Sequence, residues 1–129
     1  MTTESERSAR IAALNDELRK DPTNRERDFM TMTSGVAALG PEFWLRVVGK
    51  IASLEPKDFD QGNDPYGERD FNAFDVDGHR LYFKIDYYQK GTNNTAGAET
   101  PENPETTDYL LTVMLREEYR NETAQPLAT

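Results

Sequence analysis

The chain has 129 residues and no cysteine, and its 24 acidic and 15 basic residues give a formal net charge of −9. This length suits a single domain with its own core, and the lack of cysteine excludes disulfides, thiol nucleophiles and cysteine-based zinc sites. The negative charge disfavours direct binding to nucleic acid, and because no apolar run approaches the ~20 residues of a membrane span, the sequence predicts a cytoplasmic protein that binds no membrane.

A first helix is predicted from Ser5 to Arg19. Thr3 and Glu6 have the spacing of a capping box at its start, and the pair Asp21-Pro22 ends it. Apolar residues recur between them at helical intervals, at Ile11, Leu14 and Leu18. The segment from Asp28 to Ser34 then alternates in the manner of a short strand.

A second helix is predicted to begin at the pair Gly40-Pro41, because proline is well tolerated at the first helical position, and to end before Pro56. Its apolar residues form a wide stripe, which consists of Trp44, Val47, Val48, Ile51 and Leu54. A stripe of this width has to lie on another apolar surface. We therefore expect this helix to pack on the sheet and Trp44 to be buried.

A β-hairpin is predicted around the dipeptide Asp77-Gly78, which suits a two-residue type I′ turn. The turn sets the register of the two strands. One face then pairs Val76 with His79, Phe74 with Leu81, Asn72 with Phe83 and Asp70 with Ile85. The other face pairs Asp75 with Arg80, Ala73 with Tyr82, Phe71 with Lys84 and Arg69 with Asp86. This register predicts two cross-strand ion pairs, Asp75–Arg80 and Arg69–Asp86.

The segment from Gln89 to Thr107 is rich in turn-forming and polar residues and predicts a mobile loop. The next segment, Asp108 to Arg116, fits both a helical face and an alternating strand. Because an isolated hairpin needs a third strand, we assign it to the sheet. The sequence thus predicts an α+β domain at residues 1–119, with two helices packed on a three- to four-stranded antiparallel sheet, and a flexible tail at 120–129.

Candidate catalytic groups are few. The one histidine, His79, lies beside the hairpin turn, where side chains are normally exposed, so a catalytic triad and a multi-histidine metal site are not expected. Glu68 and Asp86 can approach one another at the hairpin base, but Arg69 and Lys84 are near enough to hold them ionised. No catalytic residue and no cofactor are predicted.

The segment DFDQGNDPYGERDF invites comparison with a calcium-binding loop. Counted from Asp58, it has Asn63 at the position that needs glycine and Arg69 at the position that needs glutamate. Counted from Asp60, it fails as well. We predict no metal site, and an irregular cation site formed by Asp58, Asp60 and Asp64 remains an open alternative.

Acidic residues are concentrated between Glu55 and Asp77, where eight carboxylates stand against Lys57 and Arg69. They form either a solvated acidic face or a binding surface. On the outer face of the hairpin, tyrosines alternate with charged residues. These tyrosines either belong to a protein interface or are covered by the first helix. The residues predicted to make an interaction surface are Asp58, Asp60, Asp64, Tyr66, Glu68, Asp75, Asp77, Tyr82 and Tyr88.

Four sequence strings carry a resemblance to a known family: TSGVAALG, GNDPYGERDF, FKIDYY and LTVMLREEY. Together they resemble a bacterial domain family of unknown function that is found in alphaproteobacterial chromosomes and plasmids, often near conjugation and antirestriction genes. The resemblance covers roughly Ile11 to Tyr119. It implies an accessory role in mobile DNA and no particular activity, substrate or cofactor.

The charge and the resemblance together predict a small acidic protein-interaction module. Its expected partner is a host protein whose basic nucleic-acid-binding surface it occupies, in the manner of an antirestriction or anti-defence factor. The alternative is a small enzyme or a cation-dependent ligand binder that uses Asp64, Glu68 and Asp86.

Overall fold

A computed structural model describes residues 3–21, 28–59, 64 and 66–119. The elements in these ranges are α1 (Glu4–Lys20), β1 (Asp28–Met32), α2 (Ser34–Ala37), α3 (Pro41–Ser53), β2 (Phe71–Val76), β3 (His79–Gln89), β4 (Thr107–Leu115) and α4 (Arg116–Tyr119). A single 3-10 turn at Pro56–Asp58 follows α3. The predicted α+β class is confirmed, and the predicted tail at 120–129 lies outside the described residues.

The four described strands form one mixed sheet in the order β1-β4-β3-β2. β4 pairs antiparallel with β3 and parallel with β1, where Thr31 lies opposite Thr112. The prediction of an antiparallel sheet was therefore wrong for β1. The local pattern shows that β1 is a strand, but its partner lies far along the chain, and a parallel pair needs a long crossover that no short-range signal marks.

The hairpin register was predicted correctly from Phe71–Lys84 to Val76–His79. Asp77 and Gly78 have φ values of 51° and 82°, as the turn type requires. The predicted ion pair between Asp75 and Arg80 is present at 3.1 Å. Pairing continues one residue beyond β2, since the Ile85 amide donates to the Asp70 carbonyl at 2.8 Å.

The core lies between α3, α1 and one face of the sheet. It includes Val47 and Ile51 from α3 and Leu81, Phe83 and Ile85 from β3. The predicted helix-on-sheet packing is confirmed, but the best-buried aromatic of α3 is Phe43, while Trp44 is half-buried at the edge of the core. The prediction that Trp44 is buried was thus wrong, and the neighbouring Phe43 takes the core position, while Val47, Ile51 and Leu54 are buried as predicted.

Four helices are present in the described residues where two were predicted. α1 begins as predicted, with Thr3 accepting a hydrogen bond from the Glu6 amide at 3.1 Å. The additional helices, α2 and α4, have four residues each. Helices this short carry no periodic signal, because one turn does not show a repeat.

Glu118 on α4 joins the two short helices. Its carboxylate accepts hydrogen bonds from the Gly35 amide at 3.0 Å, from the Leu115 amide at 2.9 Å and from the Thr33 hydroxyl. This arrangement, the Glu118 clamp, ties the end of β4 to the start of α2.

The connection from β3 to β4 is a loop, as predicted, and it is held at several points. The Lys90 amide donates to the Thr106 carbonyl at 2.9 Å, and the Tyr109 hydroxyl donates to the Pro101 carbonyl at 2.6 Å. Its mobility stays a prediction. Among the described helices, none is long and apolar enough to cross a bilayer.

Candidate functional site

The candidate site lies at the base of the hairpin, where α1, the segment before β2 and the strand β3 meet. We call the carboxylates Asp64, Glu68, Asp70 and Asp86 the basal cluster. A turn places the first of them, since the Gly67 amide donates to the Asp64 carbonyl at 3.1 Å and Gly67 has a φ of 70°. The Asp64 side chain in turn accepts a hydrogen bond from the Arg69 amide at 2.9 Å.

Arg69 points toward α1 and away from its predicted partner. Its guanidinium donates to both carboxylate oxygens of Asp16, at 2.9 and 2.7 Å. The predicted Arg69–Asp86 pair was therefore wrong, and Asp86 lies 3.4 Å from Lys84. The reason is local, because Arg69 has a φ of 54°, a left-handed conformation that breaks the strand before β2 begins.

Asp16 also binds Arg19, which is fully buried. The Arg19 guanidinium lies 4.7 Å from the centre of the Phe59 ring and donates to the Arg69 carbonyl at 3.3 Å. Burial raises the pKa of Asp16, but hydrogen bonds from Arg69 and Arg19 outweigh it and hold this pKa below its usual value. Asp16 therefore stays ionised and compensates both arginines.

Glu68 belongs to a second network in the same place. The Tyr87 hydroxyl donates to the Glu68 carboxylate at 3.0 Å, and the Asn15 amide donates to Tyr87 at 2.8 Å and to the Glu68 carbonyl at 3.0 Å. Burial raises the pKa of Glu68, although the hydrogen bond from Tyr87 and the charge of Arg7 act against the shift. Arg69, the expected partner of Glu68, binds Asp16 instead.

Asp70 carries the largest perturbation among the carboxylates of the cluster. Burial raises its pKa to about 6, and the negative charges of Glu68, Asp64 and Asp86 act in the same direction. Near neutral pH, Asp70 therefore carries a charge that its surroundings disfavour. A positively charged group placed beside the cluster would stabilise it.

The hairpin tip holds two of the predicted interaction residues, Asp75 and Asp77, and both are exposed. Each is already paired, Asp75 with Arg80 at 3.1 Å and Asp77 with Arg46 at 2.6 Å. Asp58 lies apart from them at the end of the 3-10 turn, where its carboxylate accepts a hydrogen bond from the Glu55 amide at 2.9 Å. Asp60 lies outside the described residues.

Two predicted interaction tyrosines, Tyr82 and Tyr88, lie on the sheet face opposite the core and are half-buried. The ring centre of Tyr82 lies 4.7 Å from that of Tyr119 on α4 and 5.6 Å from that of Phe71. The aromatic face is therefore partly covered by α4, and α1 instead contacts Tyr87 on the core side. The predicted residues that meet in one place are Asp64, Tyr66 and Glu68.

A cleft of about 570 Å³ opens beside the basal cluster. Its walls are the first turns of α1 and the turn before β2, and it is lined by Glu4, Ser5, Ser8, Ala9, Tyr66, Gly67 and Arg69. Tyr66 is 76% exposed at its rim. The sequence did not indicate this cleft, because the approach of α1 to the hairpin base depends on non-local pairs.

Asn15, Asp16 and Arg19 were not predicted as site residues. Asn15 stands four positions after Ile11 and three before Leu18, and Arg19 follows four positions after Asn15, so helical spacing places both beside the apolar stripe of α1. That spacing is the local signal for their burial, whereas Asp16 carries no such signal. Asp70 was predicted only as a hairpin residue. Within the described ranges, no group of three or more His, Cys, Asp or Glu side chains could hold a metal ion.

The comparisons with known proteins identify the family. A family model described as "Protein of unknown function (DUF3768)" matches residues 32–118, from the end of β1 to the Glu118 clamp. No curated protein and no solved structure matches the chain. Because the match covers more than half of the sequence, the chain belongs to the DUF3768 family of proteins of unknown function.

Proposed function

We propose that this protein is a non-enzymatic, acidic interaction module that occupies the basic nucleic-acid-binding surface of another protein. The observation that supports the proposal best is the basal cluster. Its carboxylates are half-buried, burial raises the pKa of Asp70 and of Glu68, and the negative charges around Asp70 add to its shift. A basic partner would supply the missing positive charge.

The distribution of charge in the described residues agrees with this proposal. Arg7, Arg19 and Arg69 are the half-buried or buried cations of the described residues, and the half-buried carboxylates outnumber them. These are Asp16, Asp64, Glu68, Asp70, Asp86, Glu102, Asp108 and Glu118. The net charge of −9 favours approach to a basic surface and repels DNA.

The resemblance noted for the sequence suggests the biological setting. We propose a cytoplasmic role as an accessory factor of mobile DNA in bacteria, of the antirestriction or anti-defence kind. The partner is then a host protein that itself binds DNA. This setting rests on genomic association, and the physical proposal above does not depend on it.

Capture from host lysate with the immobilised protein tests the function. The expected partner binds DNA, is released by added DNA and is lost as salt rises, because the Debye length is already about 8 Å at physiological ionic strength. The purified protein alone should not retard duplex DNA. A captured partner without a basic groove, or one that DNA does not displace, would contradict the proposal.

Two neutralised variants locate the contact. Glu68→Gln with Asp70→Asn removes charge from the basal cluster while keeping side-chain shape, and Asp75→Asn with Asp77→Asn does the same at the tip. Because Asp75 and Asp77 are each paired with an arginine, the tip variant should retain the partner. The basal variant should lose it, and equal retention by both variants would exclude the basal cluster as the contact.

A small enzyme or cation-dependent ligand binder is the second candidate. The raised pKa of Glu68 beside the Tyr87 hydroxyl favours it, since general acids need such a shift. Of the other two residues proposed for that role, the Asp64 side chain accepts a hydrogen bond from the Arg69 amide, and the Asp86 carboxylate forms an ion pair with Lys84. Titration with calcium, magnesium or manganese distinguishes the candidates, because a ligand at a hundred times its Kd would add about 2.7 kcal/mol of stability.

A further inference from the structure

The cleft beside the basal cluster has the shape and charge to hold one cationic side chain. We propose that it receives an arginine of the basic partner, with the guanidinium stacked on the Tyr66 ring and facing the Glu4 carboxylate. This inference rests on the proposed function and names the group that the partner presents. It also gives a role to Tyr66, whose exposure the fold does not explain.

The first argument is the position of Tyr66. At 76% exposed, it is the most exposed of the large hydrophobic side chains in the described residues, and it lines a cleft of about 570 Å³. Exposed tyrosines beside a concave surface are typical anchors of protein interfaces, because the ring contributes contact area at low entropic cost.

The second argument concerns the sign of the charge. Arg69 lines the cleft and the start of α1 is close by, so an anion must be considered. However, two donors of Arg69 are already bound to Asp16, and Thr3 already caps the Glu6 amide. Because Asp16 is shared with Arg19, the sign of the charge is set by the exposed Glu4 in the lining and by the basal cluster beside it. These carboxylates make a cation the complementary ligand.

The third argument favours arginine over lysine. A planar guanidinium stacks on a tyrosine face and is less strongly hydrated than an ammonium group. Ser5 and Ser8 also line the cleft, and their hydroxyl oxygens can accept hydrogen bonds from the several donors of a guanidinium. A lysine has a single point charge and would use fewer of these groups.

Nuclear magnetic resonance titration of the full chain tests the site directly. The probes are N-acetyl-arginine amide, the matching lysine compound and the matching citrulline compound, which is a neutral isostere of arginine. We expect saturable shifts at the amides of Ser5, Ser8, Tyr66 and Gly67 with arginine, weaker shifts with lysine and none with citrulline. Equal response to citrulline, shifts spread over all acidic residues, or saturable shifts with inorganic phosphate would overturn the proposal.

Variants provide the matched comparison. Tyr66→Ala and Glu4→Gln should each weaken arginine binding about 2- to 5-fold, the effect expected for one exposed cation–π contact or ion pair. Leu45→Ala and Glu42→Gln make similar changes at exposed positions of α3 that do not line the cleft, and they should leave binding unchanged. All four sites are exposed, so folding should persist. Unchanged binding by Tyr66→Ala would exclude the stacking.

The two proposals fail separately. If arginine binds in the cleft but no DNA-displaceable partner is captured, the site stands and the proposed function falls. If such a partner is captured equally well by wild type and Tyr66→Ala, the function stands and the arginine site falls.

Discussion

Asp16 and Arg69 form a bidentate ion pair that ties α1 to the start of the hairpin, with nitrogen to oxygen distances of 2.9 and 2.7 Å. The same carboxylate compensates Arg19, whose side chain is fully buried. One carboxylate thus compensates the charge of two arginines, and both arginines lose this partner if Asp16 is replaced. The cleft wall formed by α1 is held in place by this contact.

Replacing Asp16 should therefore be costly. Asp16→Ala leaves the buried Arg19 charge without its carboxylate, and we expect a loss of about 3 kcal/mol in the free energy of unfolding, measured by urea denaturation. Asp86→Ala is the control, because Asp86 is half-exposed and its loss should cost less than about 1 kcal/mol. In double-mutant cycles, Asp16 should couple with Arg69 and Asp86 should not.

The stability should depend on pH through Asp70. Its folded-state pKa of about 6 lies above the ordinary value of 3.8, so the ionised form destabilises the fold at neutral pH. This penalty decreases as the pH falls through 6 and is absent below about 4. Asp70→Asn should therefore raise the free energy of unfolding at pH 7.5, with a smaller gain at pH 5. A variant that is less stable than wild type at both pH values would contradict the assignment.

The two neighbouring aromatics of α3 should differ in their contributions. Phe43 is 4% exposed, and Phe43→Ala should cost roughly 3–5 kcal/mol because it leaves a cavity in the core. Trp44→Ala should cost less, since Trp44 is half-buried, and acrylamide should quench its fluorescence partially. Leu45→Ala should change stability by no more than about 0.5 kcal/mol. Equal losses at positions 43 and 44 would show that the helix is rotated.

The Glu118 clamp should make position 35 sensitive to a single methyl group. A Cβ on Gly35 would lie 2.7 Å from a carboxylate oxygen of Glu118, so Gly35→Ala must displace that side chain. We expect a loss of about 1–3 kcal/mol, similar to that of Glu118→Ala. The double variant should be no worse than either single one. Additive losses would mean that Gly35 contributes in another way.

The sequence pattern predicted those parts of the fold that are set by contacts between residues close together in the chain. The hairpin follows from Asp77-Gly78 and from period-two alternation, and both signals lie within a few residues of the contacts they specify. Its register was right until Arg69, whose left-handed φ ends the alternation. A residue with a left-handed φ cannot be recognised from its residue type when it is not glycine.

The candidate site was only partly predictable. Asp64, Tyr66 and Glu68 were expected because they lie in an acidic stretch with turn residues. Asn15 and Asp16 complete the site from α1, some fifty residues earlier in the chain. Their role depends on how α1 docks, which is set by Leu18 and the rest of the shared core and by no short motif.

The central position of β4 has a consequence for synthesis on the ribosome. Within the described sheet, β4 is the last strand along the chain, and it joins β1 to the hairpin. Met32 and Thr107 are 75 positions apart, which corresponds to roughly 4–15 s of translation. During that interval β1 lacks its strand partner, and a hairpin alone is only marginally stable. Until β4 emerges from the ribosome, the apolar face of α3 therefore has no complete sheet to pack on. Chaperone binding in this window would protect the nascent chain from aggregation.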